Sequence, residues 1–174
     1  MCRSCRALLS GRKWKSRSIG TLDPGSLSGK WGIYALAVDR RRGRADCVYS
    51  TMERLLKDSF GRAWRTAYCQ NLRQLERVRR IGACDLLYLG RSGPKRKKGR
   101  DLLTRYTELT NGGHTGWQAV WGLVLSGWNL RFWWRECGNP KEDESRLIAR
   151  FRSQHNGQLP ALNCYVPGGR WRAR

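Results

Sequence analysis

Leu86-Leu87-Tyr88-Leu89-Gly90-Arg91-Ser92-Gly93 opens with four apolar or aromatic side chains and a glycine. That pattern predicts a short buried strand. The strand runs into a turn, Ser92-Gly93-Pro94, and then into four bases, Lys95, Arg96, Lys97 and Lys98. A core strand thus hands over to a cationic loop, with Tyr88 beside it. Such a junction suits a protein that holds a phosphate chain against a rigid sheet.

Composition narrows the partner. The 174 residues suffice for one domain, or one domain with an arm. Lys and Arg number 35 against 13 acidic residues, a formal charge of +22. Such an excess repels itself unless an anion offsets it, and nucleic acid is the foremost candidate. An anionic membrane surface comes second, and no apolar stretch is long enough to span a bilayer. The start, Met1-Cys2-Arg3-Ser4-Cys5-Arg6, lacks the apolar run of a signal peptide. Seven scattered cysteines, an odd number, read as reduced thiols in a cytoplasmic protein. Cys2 and Cys5 form a lone C-x-x-C. A zinc site would need two further ligands at suitable spacing. No second pair exists, and His114 and His155 are far away in sequence, so a structural zinc there is the lesser reading, left open.

Along the chain, residues 1–29 are rich in Arg, Lys, Ser and Gly and predict a basic arm, either a solubilising tail or a segment that tracks phosphates. Residues 31–38 predict a strand ending at a basic turn. Residues 44–83 predict a helical insert. Ser50-Thr51-Met52-Glu53 fits a capping box, and apolar residues recur at helical spacing opposite a face bearing Arg73 and Arg77. Those arginines have few acidic partners, which favours a DNA-facing element.

Residues 101–109 predict a helix with Leu102, Tyr106 and Leu109 on one face. Arg105 shares that face, either as a snorkelling stem or as a guanidinium held in a cleft for an anion. Residues 115–128 predict a further helix packed through Trp117, Val120, Trp121, Val124 and Leu125, and 129–135 a third strand. Trp128, Phe132, Trp133 and Trp134 could stack on bases but are expected mainly in the core. Asn139 and Pro140 open a last helix, with Gly157 at its end. There Glu144 falls on the apolar face with Leu147, Ile148 and Phe151, whereas Glu142 and Asp143 do not. An inward carboxylate is costly without a counter-charge. A divalent metal, or an arginine such as Arg105, would resolve the cost.

Together these pieces resemble a GIY-YIG nuclease domain. Gly32-Ile33-Tyr34 matches the first motif letter for letter, and Tyr88-Leu89-Gly90 matches the second with Leu for Ile. Residues 101–105 resemble the helix bearing the family's arginine, 144–148 the helix bearing its glutamate, and 159–163 its closing asparagine segment. About fifty residues separate the two tripeptides, where the family has a short hairpin. Leu109 stands where many members carry His or Tyr, with Tyr106 or His114 as the expected substitute.

The resemblance implies an α+β fold: a small three-stranded antiparallel sheet flanked by helices, with the insert between the first two core strands. The nuclease domain would span 30–165, with a basic tail at 166–174. It also implies metal-dependent hydrolysis of DNA. Glu144 would hold Mg²⁺ or Mn²⁺, Arg105 would pair with phosphate oxygens, Tyr34 would act as general base or orient the water, and Tyr88 would assist or swap roles with it. Arg91 or His114 would touch phosphate or move a proton, and Asn163 would fix the site's geometry. The basic loop 95–98, with Arg73 and Arg77, would bind double-stranded DNA.

A restriction or homing endonuclease is the expected function, with a homodimer on DNA as one way to cut both strands. Three alternatives stand beside it: a repair or mobile-element nuclease, a DNA-binding module on a degenerate scaffold, and a zinc-stapled RNA- or ribosome-binding protein.

Overall fold

The structure is a computed structural model that describes residues 2–11, 13–40, 50, 53, 54, 84–93, 99–114 and 116–163. The chain begins with helix α1 (Arg3–Leu9), strand β1 (Lys15–Ser18) and two short 3-10 turns, Ile19–Thr21 and Pro24–Leu27. Strand β2 (Gly32–Arg40) and strand β3 (Leu86–Arg91) follow. Helices α2 (Leu102–Asn111) and α3 (Trp117–Leu125), strand β4 (Asn129–Glu136) and helix α4 (Pro140–Gln154) complete the described elements. Ser50, Glu53 and Arg54 are helical. The remainder of the expected insert, with Arg73 and Arg77, the loop Lys95–Arg96–Lys97–Lys98 and the tail 166–174 lie outside the described residues.

The architecture is α+β, and all strand pairings are antiparallel in the order β1-β4-β2-β3. The sheet therefore has four strands among the described residues, not three. The fourth, β1, comes from the segment read as an arm. Its sequence, Lys-Ser-Arg-Ser, has no apolar alternation, because its side chains cover little core. Backbone pairing with β4 holds it instead, from Lys15 opposite Trp134 to Ser18 opposite Arg131. Upstream, α1 buries Cys5, Leu8 and Leu9.

Alternation along the strands builds two apolar layers. Tyr34, Leu36, Val38, Leu130, Phe132 and Trp134 form one with α2, α3 and the 3-10 turns. Ala35, Ala37, Leu86 and Leu89 form the other with α1 and α4. Trp128, Phe132 and Trp134 are buried, so those aromatics are core, as expected.

The α3 expectation needs correction. Ala119, Val120 and Leu123 pack inward, whereas Trp121, Val124 and Leu125 are 42%, 43% and 51% exposed. One helix face alone can meet the sheet, and the helix is apolar around much of its circumference, so periodicity did not identify which face that is.

Caps stop the helices where local chemistry allows. Asp101 Oδ1 accepts from the Thr104 amide at 2.8 Å and Oδ2 from the Gly29 amide at 2.8 Å, joining α2 to the preceding loop. Asn139 caps α4 through the Glu142 amide, with Pro140 in the first turn. Past its end, Gly157 adopts φ +77° and its amide bonds the Arg152 carbonyl.

Two glycines permit the close approaches at the sheet centre. A Cβ on Gly32 would lie 2.0 Å from the Arg135 carbonyl oxygen of β4. A Cβ on Gly90 would lie 2.8 Å from Tyr34 Cζ and 2.5 Å from Tyr88 Cε1. Gly32→Ala must push β2 off β4 backbone against backbone. We expect a loss of roughly 3 kcal/mol or more of stability, read as a large drop in denaturant midpoint. A midpoint within error of wild type would contradict the pairing.

Candidate active site

The antiparallel register places Tyr34 opposite Gly90. Tyr88, two residues earlier on β3, lies on the same face. The two rings stack at 5.7 Å between centroids, with Phe132 behind Tyr34 at 5.5 Å. The neighbouring Tyr88 hydroxyl lowers Tyr34 while Tyr34 raises Tyr88, so the pair favours ionisation of Tyr34 over Tyr88. Burial nevertheless pushes Tyr34 up to about 12, while Arg105 and the Tyr88 hydroxyl pull it down. Tyr88 is raised further, mainly by burial. Both phenols are therefore neutral at neutral pH in the protein alone.

Arg105 reaches this pair from α2. Its Nη1 bonds Glu108 Oε2 at 2.9 Å, and Arg100 Nη1 holds the other oxygen of Glu108 at 2.8 Å. Glu108 thus orients the guanidinium, a role that the sequence reading missed. The i, i+3 spacing from Arg105 was its available signal. Arg105 Nε is buried with no hydrogen-bond partner among the described residues. A buried charged donor left open is costly, and an anion would satisfy it.

Glu144 approaches from α4. Of the counter-charges expected for it, a divalent metal or an arginine such as Arg105, an arginine is present, and it is Arg91, whose Nε makes the ion pair at 2.9 Å to Oε2. Glu144 is largely buried at 13% side-chain exposure, against 45% for Arg91. Burial raises its carboxyl, partly offset by Arg91 and Arg105. Its neighbours find other arginines: Asp143 takes Arg135 at 3.2 Å, and Glu142 takes Arg146. The acidic triplet is therefore fully engaged.

His114 is buried edge-on to Tyr88, 4.8 Å between centroids. Its Nδ1 accepts the Gly116 amide at 3.0 Å, so in the neutral ring the proton sits on Nε2. Burial and the nearby Arg105 charge lower it to about 4. Tyr106, the other candidate for this position, spends its hydroxyl on the Ile19 carbonyl at 2.8 Å and packs against Phe132. It is a core residue.

Asn163 stands behind the site. Its Oδ1 accepts from the Leu89 amide at 3.0 Å and its Nδ2 donates to the Leu89 carbonyl at 2.7 Å. It clamps the strand between Tyr88 and Gly90 and so positions both tyrosines.

A cleft of about 350 Å³ opens at this end of the sheet, lined by Arg91, Ser92, Gly93, Arg105 and residues 138–141 at the start of α4. Five elements thus bring Tyr34, Tyr88, Arg105, His114, Arg91 and Glu144 to one end of the sheet. The oxygen donors there, one carboxylate and two phenols, suit a hard divalent cation. Glu108 is not available for one, since both its oxygens hold arginines.

A different set of donors lies on the opposite layer. Cys2, Cys5, Cys84 and His155 hold their ligand atoms within 4.8 Å of one another. The sequence reading separated His155 from the cysteine pair because the loop between them in sequence is long. The fold brings it and Cys84 to that pair.

Comparison with protein-family models, curated proteins and solved structures finds no significant match. No helix among the described residues is long and apolar enough to cross a membrane.

The depressed His114 has a measurable consequence. Below its ordinary value of 6.5 the unfolded imidazole takes a proton that the folded one refuses until about pH 4. Stability is therefore intact above 6.5 and falls as pH drops through that window, by up to about 3 kcal/mol. His114→Asn keeps an acceptor for the Gly116 amide and removes the titration. Its unfolding free energy should fall less than wild type between about pH 7 and about pH 4.5. Equal losses in the two proteins would remove this assignment.

Proposed function

We propose that the protein is a metal-dependent DNA endonuclease of the GIY-YIG type. The observation that carries this reading is the convergence of Tyr34, Tyr88, Arg105, His114 and Glu144 beside a cleft lined by two arginines. Phosphodiester hydrolysis requires an activated water, a cation for developing phosphoryl charge and a route for the protons. Arg105 supplies the cation. Its Nη1 is held by Glu108, and its Nε, without a partner among the described residues, is the donor for a phosphate oxygen.

Glu144 is the residue that would hold Mg²⁺ or Mn²⁺, with Arg91 yielding the carboxylate it now occupies. The ion would supply Lewis acidity and a water acidic enough to attack near neutral pH. Tyr34 enters as a neutral phenol. It orients the water, or accepts its proton only once added positive charge has lowered it from about 12. Tyr88 stacks on Tyr34 and fixes its ring. His114, neutral down to about pH 4, packs edge-on to Tyr88 and keeps a second positive charge out of the site.

A sequence-specific restriction or homing enzyme is the preferred class. The loop 95–98 with Arg73 and Arg77 would grip double-stranded DNA, and a homodimer would place two such sites on opposite strands. A repair or mobile-element nuclease would use the same chemistry on a structural target. The high pKa of Tyr34 favours a second reading, a DNA-binding module whose tyrosines only pack.

Plasmid cleavage with Mg²⁺ or Mn²⁺ separates these readings. Wild type should give nicked and linear products. Glu144→Ala should lose roughly 100-fold or more in rate while keeping salt-sensitive DNA binding. Cutting undiminished in Glu144→Ala would remove the metal assignment. Binding without cutting by wild type would establish the module.

A further inference from the structure

Four soft donors meet on the layer away from the tyrosines. Cys2 Sγ lies 4.0 Å from Cys84 Sγ, and Cys5 Sγ lies 3.2 Å from it. His155 Nε2 lies 3.6 Å from both Cys2 Sγ and Cys5 Sγ. A tetrahedral ion with zinc–sulfur bonds of about 2.3 Å and zinc–nitrogen bonds of about 2.0 Å needs edges of about 3.5 to 3.8 Å between such atoms. These four edges, 3.2 to 4.0 Å, bracket that size, and all six lie within 4.8 Å. Cys5 and Cys84 are free thiols.

The surroundings prepare the donors. His155 Nδ1 faces the Phe151 carbonyl at 2.8 Å. A carbonyl only accepts, so the proton sits on Nδ1 and the Nε2 lone pair points to the sulfurs. The ring stacks flat on Phe151, at 3.9 Å and 4°, which sets its orientation. The Cys5 amide donates to Cys2 Sγ at 3.4 Å. Cys5 Sγ and Cys84 Sγ are in hydrogen-bond contact, and both residues are buried. Three sulfurs and an imidazole lone pair that converge in this way suit a soft divalent metal ion.

We propose that Cys2, Cys5, Cys84 and His155 form a structural zinc site. Three thiolates and one imidazole close the coordination shell, so no position remains for substrate. Soft donors select Zn²⁺ over the hard ion expected at Glu144. The site ties α1, the residue two before β3 and the end of α4 together. None of these is near another in sequence.

The full chain, expressed with zinc in the medium and dialysed under reducing conditions, should carry about one zinc per molecule by elemental mass spectrometry. Metal-free protein titrated with Co²⁺ should develop a thiolate-to-cobalt charge-transfer band and intense tetrahedral visible bands. Cys5→Ser should lose most of the metal, and Cys137→Ser, outside the cluster, should lose none. His155→Cys keeps four donors, so it should still bind, with a stronger charge-transfer band. That variant keeps the test open if Cys5→Ser fails to fold. A metal-free preparation whose Co²⁺ titration gives no charge-transfer band would overturn the site. So would undiminished zinc in Cys5→Ser.

Discussion

The hydroxyl of Tyr34 occupies space that one methyl group on Gly90 would close. That constraint sets the geometry of the candidate site. The β2–β3 register must bring Tyr34 opposite the one residue of β3 with no side chain. A slip of one residue would send Tyr34 to the other layer and put Leu89 against it. Gly32 plays the matching part on the other side of β2, where the β4 backbone passes too close for any Cβ. Asn163 then pins Leu89 from outside the sheet, so the tyrosine pair rests on a fixed strand.

Charge is distributed unevenly around this pair. The chain carries +22, yet the carboxylates near the cleft are each held by arginine: Glu108 by Arg100 and Arg105, Glu144 by Arg91, Asp143 by Arg135. These pairings hold the guanidiniums in place rather than cancel the excess. Arg105 still has a buried Nε with no partner among the described residues. A site arranged this way has more fixed donors than anions, which suits a phosphate better than a cationic or neutral ligand.

Helix α4 links the two ends of the molecule. Glu144 lies in its second turn, facing the cleft, and His155 lies just past its last residue, in the sulfur cluster. A helix of 15 residues spans about 22 Å. An ion at the far end would therefore hold the helix that presents the glutamate without touching the chemistry. The same ion would staple α1 to the residues just before β3, beside the apolar cluster that they already share.

The sequence by itself determined the α+β class, three of the strands and the three helices that follow β3. Local pattern carries that information. Apolar runs read as buried strands, Asn139-Pro140 starts a helix, and the inward spacing of Glu144 with Leu147, Ile148 and Phe151 follows from 3.6 residues per turn. Only the tertiary structure decided the rest, because it depends on which distant segments touch. β1 is a strand through backbone pairing with β4, which its polar side chains do not announce. Arg91 rather than Arg105 meets Glu144, a choice made by where β3 ends against α4. Tyr106 turns into the core and His114 toward Tyr88. Cys84 and His155 join Cys2 and Cys5 across more than seventy residues of chain, since ligand proximity arises from packing and spacing along the sequence does not encode it.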